Sequence, residues 1–321
     1  MPTAVPSPAI VAEVVRSGFV EGHHHGSVVA LTADGDIEFS IGDVESQILP
    51  RSCNKPIQAL GMVRAGLDLE PRLLATACAS HSGEPFQVVA VREILAGVEL
   101  DESALQTPPD YPIDDQARDD HIRAGGSRSA VTMNCSGKHA AMLATCVING
   151  WPIKTYREPD HPLQQAIRGT FEEMTGEPVG TVAVDGCGAP LLSASLTGLA
   201  RAFSRLSLAS DGPEHRVADA IRSFPEHVSG TRRDEAALLH ATPGAIGKAG
   251  AEGCYAVALP DGLAVALKVD DGAARVRPAL MAAVLERLGL PGDADADAVR
   301  RTGVVELLGG GRPVGSIRAT F

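Results

Sequence analysis

Residues 254–288 constrain this chain more than any other stretch. Cys254-Tyr-Ala-Val-Ala-Leu is an apolar run, Pro260-Asp261-Gly262 is a turn tripeptide, and Leu263 to Val269 is a second apolar run. That order predicts an antiparallel hairpin. Just beyond it, Val276, Leu280, Val284 and Leu288 recur every four residues across Ala273 to Leu288, the spacing of an amphipathic helix that packs on the hairpin. Residues are 44% hydrophobic but only 3% aromatic, so the core must be built from Ala, Val and Leu. Such small side chains suit helices packed closely on a sheet.

The N-terminal end adds to the same sheet. Gly26-Ser-Val-Val-Ala-Leu-Thr, the turn Ala33-Asp34-Gly35-Asp36, and the alternating Ile37-Glu-Phe-Ser-Ile read as two hairpin-linked strands within Val11 to Glu45. Residues 303–318 read as an edge strand, and Leu290 to Arg300 as a Pro/Asp-rich linker. Between the ends lie a helix after Pro56, an apolar segment at Leu73 to Ala79, and helices over Phe86–Ala96 and from Ala140. Another helix runs from Pro162 to about Met174, and two more cover Leu191–Leu206 and Glu214–Ile221. Thr107 to Gly126 reads as a long polar surface excursion. The expectation is an α+β fold, an αβα sandwich with an antiparallel sheet flanked by helices. The 321 residues form a single domain, with a sheet lobe of about residues 1–50 and 240–321 and a mostly helical region of about 51–239.

Charge and hydropathy exclude several partners. With 28 basic against 40 acidic residues the net charge is −12 and there is no basic run, which argues against nucleic acid and anionic membranes. No apolar stretch approaches the ~20 residues of a membrane span. Met1 to Ile10 lack the charged start and apolar run of a secretory leader, so a cytoplasmic location is expected. The six cysteines (Cys53, Cys78, Cys135, Cys146, Cys187 and Cys254) are then expected to be reduced, and their spacing is not that of a zinc finger.

Several stretches carry chemistry. In Arg51-Ser52-Cys53-Asn54-Lys55-Pro56, Pro56 marks the start of a helix. Residues three apart share a face there, which sets the Ser52 hydroxyl beside the Lys55 amine. A partly desolvated lysine can activate a serine; the plainer reading is a serine at a helix start beside a solvated lysine. Ser80-His81-Ser82 closes an apolar run ahead of a helix, where a cap is the ordinary role. Asn134-Cys135-Ser136-Gly137-Lys138-His139 crowds a thiol, an amine and an imidazole at a helix N-terminus, where a thiol pKa falls. Asp185-Gly186-Cys187-Gly188 ends a short strand, its glycines allowing close approach of the backbone. Lys248 stands in a glycine-rich run entering an inner strand, an awkward place for a merely solvated charge. His23, His24 and His25 precede the first strand and cannot all face one metal.

Taken together, a hairpin, S-x-x-K on a helix, a helical middle, and K-x-G entering a C-terminal hairpin is the order of serine β-lactamases and penicillin-binding proteins. No S-D-N or Y-x-N triplet stands in the helical part, which argues against β-lactam turnover. Motif by motif the chain resembles more closely the class 3, rhizobial-type L-asparaginases, a family with a β-lactamase-like fold. Arg51-Ser-Cys-Asn-Lys-Pro-Ile-Gln58, Cys78-Ala-Ser-His-Ser82, Asn134-Cys-Ser-Gly-Lys-His139, Asp160-His-Pro162, Asp185-Gly-Cys187 and Gly247-Lys-Ala-Gly-Ala251 carry that resemblance in order over about residues 10–290.

The resemblance implies hydrolysis of the side-chain amide of L-asparagine. It pairs Ser52, the nucleophile, with Lys55, and Ser80 with Lys248. It assigns one zinc ion per chain to Cys135, Lys138 and Cys187, places Arg51, His139 and Asp185 at the substrate, and implies a homodimer. A glutaminase or β-lactam hydrolase on the same scaffold, or a non-catalytic zinc- or amino-acid-binding relative, are the competing readings.

Overall fold

The computed structural model of the protein describes residues 8–321. Residues 1–7, part of the stretch read above as lacking a leader, lie outside the described residues. In chain order, strands β1 (Ala9–Arg16), β2 (Phe19–Leu31) and β3 (Ile37–Ile41) precede a 3₁₀ turn (Arg51–Asn54) and helices α1 (Lys55–Arg64), α2 (Pro71–Ala77) and α3 (Pro85–Ala96). Next come α4 (Asp115–Arg123), α5 (Ser136–Asn149) and α6 (Pro162–Thr175), the hairpin β4 (Val182–Val184) and β5 (Pro190–Leu192), and α7 (Leu196–Leu208). Helices α8 (Gly212–Ser223), α9 (Pro225–Val228) and α10 (Asp234–Ala241) lead to strands β6 (Ile246–Ala249), β7 (Cys254–Ala258) and β8 (Ala264–Val269). The chain ends with α11 (Arg277–Leu288), α12 (Ala296–Thr302), β9 (Glu306–Gly309) and β10 (Arg312–Ala319).

Two compact units emerge, and the first holds the described residues up to Cys53, Ala194–Leu208 and Ala237–Phe321. Its eight-stranded sheet runs β6-β7-β8-β2-β1-β10-β9, with β3 also paired to β2, and every pairing is antiparallel. Strand β2 pairs β1 through its first half and β8 through its second. The change falls at Gly26, where a Cβ would lie 2.3 Å from the Lys268 carbonyl oxygen, so only glycine lets the strands meet. Every residue of β6 and β7, and all of β8 except Lys268, is buried. Burial of successive residues means that both faces of these strands are covered, and α7 and α11 pack on them. Val28, Val29, Ala30, Ala256, Val257 and Ala266 are wholly inaccessible to solvent, the small-residue core expected from composition. This is the α+β architecture read from the sequence, an antiparallel sheet with helices on it.

The second unit, Asn54–Ser193 and Ala209–Ala236, is helical apart from the β4–β5 hairpin. Residues 55–63 of α1 are all buried, and the helix packs on α5, α6 and α8. At Gly61 a Cβ would lie 3.0 Å from Ile167 Cα of α6, so the glycine sets how closely the two helices cross. His161, from the Asp160-His-Pro162 motif, caps α6 by accepting from the Leu163 N–H at 3.1 Å.

Four expectations are corrected. The three histidines do not precede the sheet but lie within β2, because the first hairpin turns at Ser17 and Gly18, both with left-handed backbones (φ 50° and 83°). Residues 303–318 supply two strands, of which β10 pairs with β1 inside the sheet and β9 takes the edge. The excursion 107–126 holds α4, whose start is capped by Asp114 accepting from the Ala117 N–H at 2.8 Å. The linker 290–300 likewise runs into α12, capped by Asp295. Among the described residues no helix is long and apolar enough to cross a membrane.

Candidate functional site

In the sheet unit the residues singled out cluster where the 3₁₀ turn meets β6. Arg51 has a left-handed backbone (φ 53°), costly for a residue with a side chain, and so does Glu252 (φ 55°). The two are joined by an ion pair of 3.4 Å. Ser52 follows Arg51 on the turn and is partly exposed. The Cys53 thiol donates to the Lys248 carbonyl at 3.0 Å, tying the turn to β6. Gly250 keeps that contact tight, since a Cβ there would lie 2.7 Å from the Pro50 oxygen and 3.1 Å from Cys53 Sγ. Lys248 is fully buried on β6, its Nζ donating to the Ala249 carbonyl at 2.9 Å.

In the helical unit, Lys55 lies at the start of α1 and is 1% exposed. Its Nζ donates to the Ala79 carbonyl at 2.6 Å, to Ser80 Oγ at 2.9 Å and to Cys135 Sγ at 3.1 Å. The backbone holds Ser80 in turn, with its N–H on the Val228 carbonyl at 3.1 Å and its own carbonyl accepting from Arg233 Nη1 at 3.3 Å. A hydrogen bond thus joins Lys55 to Ser80, one residue from each of the two pairs that the resemblance implies.

Helix α5 begins at the second motif, and its sequence is dictated by packing. At Gly137 a Cβ would lie 2.3 Å from the Thr76 carbonyl oxygen, so a larger residue would force α5 off the end of α2. The Ser136 hydroxyl donates to the Val131 carbonyl at 2.7 Å and lies 2.7 Å from His81 Nε2. With its own proton committed to Val131, Ser136 accepts from His81. Opposite this helix start, the β4–β5 turn is closed by Gly188, whose N–H meets the Asp185 carbonyl at 2.8 Å and whose φ is 83°. That turn delivers Cys187, which packs with Met133, Cys135 and Ala189.

The result is a buried polar cluster. One ligand atom each from Cys135, Cys187 and Asp185 lies within 4.8 Å of the others, and Lys138 Nζ lies 3.2 Å from Cys187 Sγ. The thiols share their charge unequally. The Cys187 thiol is held far below the ordinary thiol range, first by hydrogen bonding with Cys135 and then, against the cost of burial, by Lys138. Cys135 is pushed well above that range by the same hydrogen bond and by burial. Burial opposes charge on Lys138, but Cys187, Cys135 and Asp185 outweigh it and hold the amine above the ordinary lysine range. His139 is lowered to about 4 and His81 to about 3, burial being the leading cause in both. Two thiols and a carboxylate grouped in this way are a donor set for a soft divalent cation, which Lys138 could join only as the neutral amine.

Of the residues expected at the site, Lys55, Ser80, Cys135, Lys138, His139, Asp185 and Cys187 all fall in the helical unit, and Arg51, Ser52 and Lys248 in the sheet unit. Asp185, expected at the substrate, groups with the two thiols. Sequence reasoning passed over His81, the backbone strain at Arg51, and Tyr156. Tyr156 is fully buried, and its hydroxyl lies 2.6 Å from His139 Nδ1 and 3.4 Å from the Gln106 N–H. A lone tyrosine in a polar loop, six residues before the helix-starting Pro162, was the one available signal for it. Within the sheet unit, His24 Nδ1 meets Asp271 at 2.6 Å and His23 approaches Glu13 at 3.8 Å.

A family model described as L-asparaginase II matches residues 12–319. No curated protein sequence matches the chain. Among solved structures, a β-lactamase from Mycobacterium bovis is similar at 17% identity and TM-score 0.46, covering 83% of this chain and 95% of that one. Mglu in its native form is similar at 11% identity and TM-score 0.46 over 84% of this chain and 62% of its own. EstCE1, a hydrolase with promiscuous acyltransferase activity, is similar at 12% identity and TM-score 0.40 over 92% of this chain and 93% of its own. These likenesses are too distant to carry an argument, and the fold rests on the sheet order and packing described above.

Proposed function

The chain belongs to the L-asparaginase II family, an amidohydrolase family, and from that premise we propose that it hydrolyses the side-chain amide of L-asparagine to L-aspartate and ammonia. Ser52 is the nucleophile and Lys55 takes its proton, forming an acyl-enzyme at the amide carbon. Backbone N–H groups at the start of α1 hold the oxyanion. Ser80 and Lys248 carry a proton to the departing ammonia and take one from the deacylating water. Arg51, His139 and Asp185 hold the substrate. The observation that supports the serine–lysine part is the buried Lys55 amine, 2.9 Å from Ser80 Oγ and three residues along the chain from Ser52.

Cys135, Cys187 and Lys138 would hold one zinc ion, with Asp185 beside them. When bound, the ion would supply a fixed positive charge that positions the substrate. Lys138 must give up its proton to ligate, so zinc uptake should release protons and weaken in acid. The protein acts as a cytoplasmic homodimer in one catalytic domain. Ammonia release from L-asparagine, compared with L-glutamine and a chromogenic cephalosporin, tests the reading. A higher rate on either competitor would replace asparagine as the substrate, and failure to trap an acyl adduct on Ser52 would remove the serine mechanism.

A further inference from the structure

Tyr156 is among the largest side chains fully removed from solvent, yet it lies on the loop between α5 and α6 and not in a helix. Its hydroxyl has one proton and two neighbours. The Gln106 backbone N–H, at 3.4 Å, can only donate to it. His139 Nδ1, at 2.6 Å, can either donate or accept. If Nδ1 carried the proton, the phenolic O–H would be buried with no acceptor, which costs the full desolvation of that group. The bond therefore runs from the phenol to the imidazole. An imidazole whose Nδ1 accepts carries its ring proton on Nε2. That nitrogen is buried and meets no partner in strict hydrogen-bond geometry. The Cys187 sulfur is a near neighbour of the imidazole.

We propose that Tyr156 is a positioning residue of the thiol site, whose hydroxyl donates to His139 Nδ1 and so fixes the tautomer with its N–H on Nε2, toward Cys187. The N–H supports a sulfur that carries negative charge, whether the thiolate is bare or bound to a cation. The other tautomer would turn a lone pair toward the same sulfur and disfavour that charge. The ring stands edge-on to Tyr156 with centroids 5.5 Å apart. The consequence for a metal rests on the zinc reading above, but the tautomer does not.

Nitrogen NMR of ¹⁵N-histidine-labelled, metal-free protein near pH 7 decides the matter, with the His139 resonances identified by their loss in His139→Gln. The expected wild-type spectrum shows His139 protonated on Nε2; protonation on Nδ1 overturns the proposal without any variant. Tyr156→Phe keeps the ring and removes only the hydroxyl, so the protein should fold and His139 should lose its single tautomer. An unchanged tautomer in that variant also overturns the proposal. Chelator competition with zinc alone supplies the second readout, where Tyr156→Phe should bind about 10–100-fold more weakly. If wild-type protein holds the expected tautomer, loses it in Tyr156→Phe and binds no zinc, the metal reading fails while the positioning role stands.

Discussion

Two stretches of this protein share one pattern and diverge in what surrounds it. Ser52-x-x-Lys55 leads into α1 and Cys135-x-x-Lys138 into α5; both lysines are 1% exposed. Lys55 is ringed by a carbonyl, a hydroxyl and the more protonated of the two thiols, while Lys138 faces the ionised thiol with a carboxylate close by. A buried lysine beside neutral oxygens can exchange a proton with a hydroxyl. One held by a thiolate and a carboxylate is first a counter-charge. Spacing set the lysine at the helix start in both cases, and the second residue layer decided what it does there.

The sharpest way to break that comparison is to remove each head group. Ser52→Ala should take ammonia release below detection while leaving the thermal melt in place, and near-normal turnover would end the distinction. Lys55→Met, Ser80→Ala and Lys248→Met should each lower kcat roughly 10²–10⁴-fold, the range of general acid–base groups. The thiol pair should respond differently. Cys135→Ser, Cys187→Ser or reversible chelation should raise KM more than they lower kcat. An equal fall in kcat on both sides would mean that the two lysine sites form one machine. Metal analysis of the untagged protein showing no zinc, with kinetics indifferent to added zinc, would remove the second site's role.

A smaller effect concerns acid stability. His81 titrates near 3 in the folded protein, chiefly because it is buried and next because Lys55 is near, against about 6.5 when unfolded. The folded state therefore resists the proton that the unfolded chain accepts. The stability this gives is complete above the unfolded value and is lost as pH falls from about 6.5 toward 3. The loss is about 1.4 kcal/mol per pH unit in that window. Urea midpoints at pH 7, 5 and 4 should drop in wild type and drop less in His81→Gln; parallel curves would show that His81 is not the group responsible.

Much of this was legible in the chain. Apolar runs, turn tripeptides and a four-residue repeat foretold β7, β8 and α11, because those elements answer to local periodicity. The beginning of β2 was not legible, since Gly22-His-His-His-Gly26 looks like a loop until β1 is present to pair with it. At the site, the motifs supplied Lys55, Ser80, Cys135, Lys138 and Cys187 as candidates, but that they lie in one buried cluster could not be read from them: the Lys55–Ser80 bond depends on a fold-level approach of α1 to the end of α2. His81 and Tyr156 escaped for the same reason: each matters through a partner 55 or 17 residues away. No window of sequence contains both ends of such a bond.

Arg51 adopts a backbone shape that most side chains avoid, and it is clasped by Glu252, another residue in that shape. Glycine would sit there without complaint. Selection for durability alone would therefore drift toward glycine at position 51, giving up the guanidinium and its clasp and letting the turn that carries Ser52 relax. Selection for turnover would hold the arginine. A directed-evolution campaign on this protein should find the two pressures opposed at that residue, with heat-resistant lineages losing rate first at position 51 and high-rate lineages never accepting glycine there.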